Sequence, residues 1–100
     1  MSQSTVRGMD HIGITVPDIE QATTFFCAAR GAEVIYTSVA PGDEVDQEAQ
    51  QKTLRLTPGT RVKAVRMLKL HHGPGIELFE MQGDDQREPP RANDYGLQHF

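Results

Sequence analysis

Between Asp10 and Tyr36 the chain reads DHIGITVPDIEQATTFFCAARGAEVIY, and its punctuation admits few interpretations. Ile12, Ile14 and Val16 alternate with His11, Gly13 and Thr15, the two-residue period of a strand with one apolar face. Pro17 and Asp18 close that strand and open a helix. Asp18 suits the N-cap, and Gln21 three residues on completes a capping-box pattern. Ile19, Ala22, Phe26 and Ala29 then recur at helical spacing, a stripe that can lie on a sheet. Gly31 after Arg30 supplies a residue that takes the left-handed conformation without Cβ strain, which stops the helix. Residues 33–36, EVIY, predict a short second strand.

Residues 37–60 break the pattern. They are rich in Asp, Glu and Gln and show no strand alternation, so the segment is expected as a surface insertion. Residues 43–56 predict a short, mostly exposed helix, either a lid or a solvated connector. Pro58-Gly59 reads as a turn. Residues 61–70, RVKAVRMLKL, predict a long strand, HHGPG a hairpin turn, and residues 76–81, IELFEM, the returning strand. Ile76 and Leu78 share one face of it, Glu77, Phe79 and Met81 the other. A polar, proline-containing linker follows to Asp94. The chain then runs DYGLQHF, and from Leu97 this reads as the start of a further strand.

Composition narrows the function classes. One hundred residues, 37% hydrophobic and 24% charged, fit one small soluble domain rather than a disordered chain. The formal net charge of −4 gives no electrostatic footing for nucleic acid or an anionic membrane. Cys27 is the only cysteine, so an intrachain disulfide and a thiolate metal cluster are both excluded. No stretch approaches the ~18 apolar residues of a membrane span, and a cytoplasmic location is expected.

Three residues can carry chemistry: His11, Glu77 and His99. Each lies in a strand-like run, and His11 and Glu77 stand on faces opposite an aliphatic set. A carboxylate in mid-strand is costly unless solvated, paired or bound to a cation. Imidazole with carboxylate is a ligand set for a divalent metal such as Zn, Mn, Fe, Co or Ni. From spacing alone the plainer account is favoured, a hydrogen-bonded strand histidine and a glutamate facing water. Met9-Asp10-His11-Ile12 and Leu97-Gln98-His99-Phe100 also share one pattern, apolar, polar, His, apolar, which echoes a repeated unit.

Other groups carry less. His71 and His72 are adjacent on a predicted hairpin tip, where strand alternation would point them to opposite sides, so they are not expected to chelate one ion together. Arg66 falls on the other strand face from Lys63 and Lys69, which rules against a single basic patch. Cys27 has no His close in sequence and reads as a small core residue rather than a nucleophile. The acidic run 43–48 lacks the spacing of a calcium loop.

The stretches DHIGITVPDIEQATTFF…GAEVIY, GIELFEM and YGLQHF resemble the vicinal oxygen chelate superfamily. That superfamily includes glyoxalase I, methylmalonyl-CoA epimerase, extradiol dioxygenases and the fosfomycin and bleomycin resistance proteins. The resemblance spans residues 9–36 and 61–100, with 37–60 as an insertion. It implies an α+β fold built from βαβββ modules. Residues 1–82 would form a first module, 83–96 a linker, and 97–100 the first strand of a second, truncated module. The chain is then expected to belong to a longer protein, or to pair with a second copy as a homodimer.

The resemblance further implies a metal held inside a cupped sheet by the first and last strands of each module. His11, Glu77 and His99 match such ligands, the fourth lying beyond Phe100. An acidic residue at Glu77 resembles the glyoxalase I pattern more than that of the dioxygenases. The implied activity is a metal-dependent lyase or epimerase of glyoxalase type, acting on a small oxygenated substrate through an enediolate. Glu77 would be the general base, and Thr15, Phe79 and Met81 would line the pocket. An extradiol-type dioxygenase and a metal-free, ligand-sequestering resistance protein are the alternatives.

Overall fold

The computed structural model describes residues 8–96. Its elements follow in the order β1 (His11–Val16), α1 (Ile19–Arg30), β2 (Glu33–Val39), α2 (Gln47–Leu54), β3 (Arg61–Lys69) and β4 (Gly75–Gln82). The strands form one mixed sheet in the order β1-β4-β3-β2, with β1 parallel to β4 and the other pairs antiparallel. This is an α+β arrangement. The consecutive strands β1 and β2 sit at opposite edges, so α1 has to cross the sheet to connect them, and it packs against β2, β3 and β4. Among the described residues no helix is long and apolar enough to cross a membrane.

Local chemistry sets the limits of α1. Asp18 is extended (φ −145°, ψ 109°), and its carboxylate accepts the N–H groups of Glu20 and Gln21, each at 3.0 Å. The N–H of Ile19 is taken from outside the helix, by Glu80 Oε1 of β4 at 2.8 Å. The donors that a helix start leaves without partners are thus shared between a local cap and a distant strand. At the other end Gly31 adopts φ 67°, and Ala32 N–H closes back onto the Phe26 carbonyl at 3.1 Å. The apolar stripe runs from buried Ile19 through Ala22 to Phe26. Ala29, expected on it, is exposed, because the last turn of α1 extends past the sheet contact.

The core lies between α1 and one sheet face. Ile19, Ala32, Ala64, Leu68, Ile76 and Leu78 are buried there, with Ile14, Val16, Ala22, Phe26 and Leu70 packed against them. Arg66 also points to this face. Its side chain is only 11% exposed and forks onto Glu20, with Nη1 and Nη2 each 2.9 Å from a carboxylate oxygen. Nη1 also donates to Thr23 Oγ1 at 2.9 Å and Nε to Thr37 Oγ1 at 3.3 Å, so one guanidinium ties β3 to α1 and β2.

The second strand is longer than EVIY predicts. It continues to Val39, with register shifts between Val34 and Tyr36 and between Thr37 and Val39. Each extra residue reverses the alternation, which is why the sequence shows no clean strand period there. A smaller cluster, Val39, Val62 and Val65 with Val45, Leu56, Phe79 and Met81, sits on the face away from α1.

The insertion neither floats nor only connects. β2 pairs no further along β3 than Val65, which leaves the edge of β3 bare from Val62 back. The Gln47 amide covers it: Oε1 accepts Val62 N–H at 2.9 Å, and Nε2 donates to the Val62 carbonyl at 3.2 Å. One turn later Gln51 Nε2 donates to the Thr60 carbonyl at 3.0 Å. Two glutamines on one helix face thereby stand in for a missing strand and protect the edge. As expected for a mostly exposed helix, α2 has no buried residue.

Candidate metal and substrate site

Strand register decides which side chains share the face away from α1. In the ladders Gly13 is level with Glu77, Glu77 with Met67, and Met67 with Tyr36. Level residues on neighbouring strands point the same way. The rows on either side run His11, Gly75, Lys69, Glu33, and Thr15, Phe79, Val65, Val39. Since Arg66, next to Met67, points at α1, these rows all lie on the opposite, open face.

His11 and Glu77 meet there. His11 Nε2 and Glu77 Oε1 stand 3.5 Å apart, the histidine side chain 41% exposed and the glutamate 26%. On the other side of the ring, His11 Nδ1 lies 2.7 Å from Asp10 Oδ2, in position to donate its proton. Asp10 is itself anchored, because its carbonyl accepts Gly75 N–H at 2.8 Å. The hydrogen bond to Asp10 raises the His11 pKa above its ordinary 6.5, and the Glu77 charge adds to this while desolvation opposes it.

This pair fits a divalent cation. Two ligands each about 2.1 Å from one ion lie roughly 3.0–3.4 Å apart, close to the observed separation. An imidazole whose Nδ1 is held by a carboxylate presents Nε2 in a defined direction, the usual support of a metal-ligating histidine. Among the described residues no third His, Cys, Asp or Glu completes a group with them. His99 lies outside the described residues.

Glycines shape the space around the pair. Gly13 is exposed beside Glu77, and a Cβ there would meet only the ring of Phe79, at 3.4 Å. The surface next to the carboxylate is therefore open because residue 13 has no side chain. Gly75 is tight: a Cβ would come within 3.2 Å of the His11 Cβ and 3.3 Å of Met67 Sδ. Of the residues expected to line a pocket, Thr15 and Met81 border a groove of about 770 Å³ together with Lys63, Gln82 and Gln86. Phe79 and Met81 both pack against the Val39, Val62, Val65 cluster, and the Phe79 ring also lies beside Gly13. In the sequence only the Asp-His dipeptide points to Asp10, and it gains meaning once β1 and β4 pair.

A family model of the glyoxalase/bleomycin resistance protein/dioxygenase superfamily matches residues 10–100. The chain belongs to this superfamily. A superfamily sheet with a histidine on β1 and a carboxylate on β4 is what the sequence resemblance implied for these two strands. The chain is also 37% identical over 93 residues to a protein of Actinomyces sp. named 2-epi-5-epi-valiolone epimerase. The match covers 90% of this chain and 48% of that protein, so the chain spans about half the length of the curated relative.

Proposed function

We propose that the chain carries part of the active site of a metal-dependent epimerase. It would invert a carbon next to a carbonyl in a small oxygenated substrate. The observation that carries this reading is the convergence of His11 Nε2 and Glu77 Oε1 at 3.5 Å on the open sheet face. The likeness to an epimerase supports epimerisation over lyase or oxygenase chemistry.

In this reading His11, Glu77 and His99 hold a divalent ion such as Zn, Ni, Mn, Fe or Co. The bound ion supplies a Lewis acid that draws charge from adjacent substrate oxygens and so acidifies the neighbouring C–H. Everything else falls to the chain. Glu77 accepts the proton as general base, from a side chain that is three-quarters buried yet reachable. Asp10 keeps Nε2 of His11 turned toward Glu77. Gly13 leaves room for the reacting carbon beside the carboxylate, while Thr15 and Met81 border a groove that His11, Gly13 and Glu77 do not line.

The test is metal content and hydrogen exchange in the complete native protein. Metal analysis is expected to show one divalent ion per site, lost in His11→Ala and in Glu77→Ala. In heavy water, 2-epi-5-epi-valiolone or a simpler hydroxyketone is expected to take up deuterium next to its carbonyl. Unchanged metal content in both variants would sink the chelate model, and absence of exchange with every trial ketone would sink the epimerase reading.

A further inference from the structure

Inverting a carbon by proton transfer needs two groups, one to take a proton from one side and one to return a proton to the other. Glu77 provides the first. In its row across the open face the remaining residues are Gly13, Met67 and Tyr36, and only Tyr36 has an exchangeable proton. We infer that Tyr36 is the second proton-transfer group of this site, standing opposite Glu77 across the substrate; this rests on the epimerase reading.

Four observations support it. Tyr36 and Glu77 are both level with Met67, so they rise from the same face on the two strands that flank β3. Two strand spacings separate their Cα atoms by about 10 Å, a gap in which a small ring can stand edge-on. Met67, buried to 8% exposure, forms an apolar floor between them. Tyr36 itself is half exposed on this face, so its hydroxyl is within reach of a ligand as well as of solvent. Of the neighbouring ionisable groups on this face, Lys69 donates its ammonium to the Gly73 carbonyl, and Glu33, on the same strand as Tyr36, stands in the adjacent row, level with Lys69 and Gly75 rather than with Glu77.

The step balances. Glu77 takes the proton from the carbon next to the carbonyl, and the electron pair moves onto the oxygen. Tyr36 O–H gives its proton to the same carbon from the opposite side, and the pair returns to form the new C–H bond. Glu77 is left protonated and Tyr36 as phenolate, and exchange with water resets both. Catalysis in the other direction exchanges the two roles.

The experiment measures two rates on Tyr36→Phe in the complete protein. One is uptake of solvent deuterium by the substrate, the other net inversion. Without the phenol, Glu77 can still remove and return a proton on its own side. Deuterium uptake is therefore expected to stay within about threefold of wild type, while inversion falls about 100-fold or more. Metal content and the unfolding midpoint are expected to be unchanged. Retention of both rates would overturn the proposal, and so would an equal loss of both in a folded, metal-loaded variant, since that marks a positioning residue. If the phenylalanine variant folds poorly, Tyr36→Leu is judged by the same two rates. A wild-type protein that neither exchanges nor inverts fails at the earlier step, so collapse of the epimerase reading is told apart from failure of Tyr36 alone.

Discussion

A Cβ added to Gly75 would lie 3.2 Å from the Cβ of His11, so the residue level with the histidine in the β1–β4 ladder is held at zero side-chain volume. The same Cβ would meet the Leu68 carbonyl oxygen at 3.3 Å, a backbone atom of the sheet that cannot swing aside. Gly75→Ala is therefore expected to push β1 away from β4. Overpacking of this kind costs about 1–3 kcal/mol, measurable by urea unfolding. It should also widen the His11–Glu77 separation and weaken metal binding, which calorimetric titration with Zn or Co reads.

Asp10→Asn removes the main cause of the raised His11 pKa. In metal-free protein, a proton NMR titration should show His11 moving down toward 6.5. A raised folded pKa contributes stability that is fully present below 6.5 and lost as pH rises through the folded value. The variant should thus be less stable than wild type below 6.5 and equal to it well above. Loss of the supporting carboxylate is also expected to cost about 10- to 100-fold in metal affinity.

The Arg66 guanidinium, through its hydrogen bonds and charge, holds the Glu20 carboxyl below its ordinary 4.5. A depressed folded pKa contributes stability that is present above 4.5 and lost as pH falls through the folded value. Glu20→Gln should flatten the acid limb of the stability curve below 4.5 and leave its shape at neutral pH intact. Thermal midpoints collected across an acid pH series check this. A limb as steep as that of wild type would assign the acid loss to other carboxylates.

Gln47→Ala strips the edge of β3. The Val62 N–H and carbonyl would lose the partners now at 2.9 and 3.2 Å. Groups left without partners at a partly buried site cost about 1–3 kcal/mol. The Val62 amide should exchange its hydrogen faster, while amides of β1 and β4 keep their protection. Uniform acceleration across the sheet would mean that α2 supports the whole fold rather than this edge.

Much of the local structure was legible in the sequence, and the residues say why. Asp18, Gly31 and the alternation in β1 and β4 act through atoms within a turn or two of themselves, so their spacing carries the information. The Gln47–Val62 pairing left no trace, because a side-chain amide mimicking a strand has no period. Ile35 and Ser38 hid the end of β2 by adding residues that break the alternation. Asp10 and Tyr36 read as ordinary polar and aromatic residues until the ladders put one behind His11 and the other level with Glu77.

By itself, then, the sequence determined the kinds of element, their order, and the faces of β1 and β4 that carry His11 and Glu77. Tertiary structure alone decided that those faces adjoin. β1 pairs in parallel with β4, the described strand most distant from it in the chain, in a register that sets Gly13 level with Glu77. A slip of one residue would turn the histidine and the carboxylate to opposite sides of the sheet. That register depends on α1 crossing the sheet and on the Ile19, Leu68, Ile76 and Leu78 core beneath it, contacts between segments that no local spacing records.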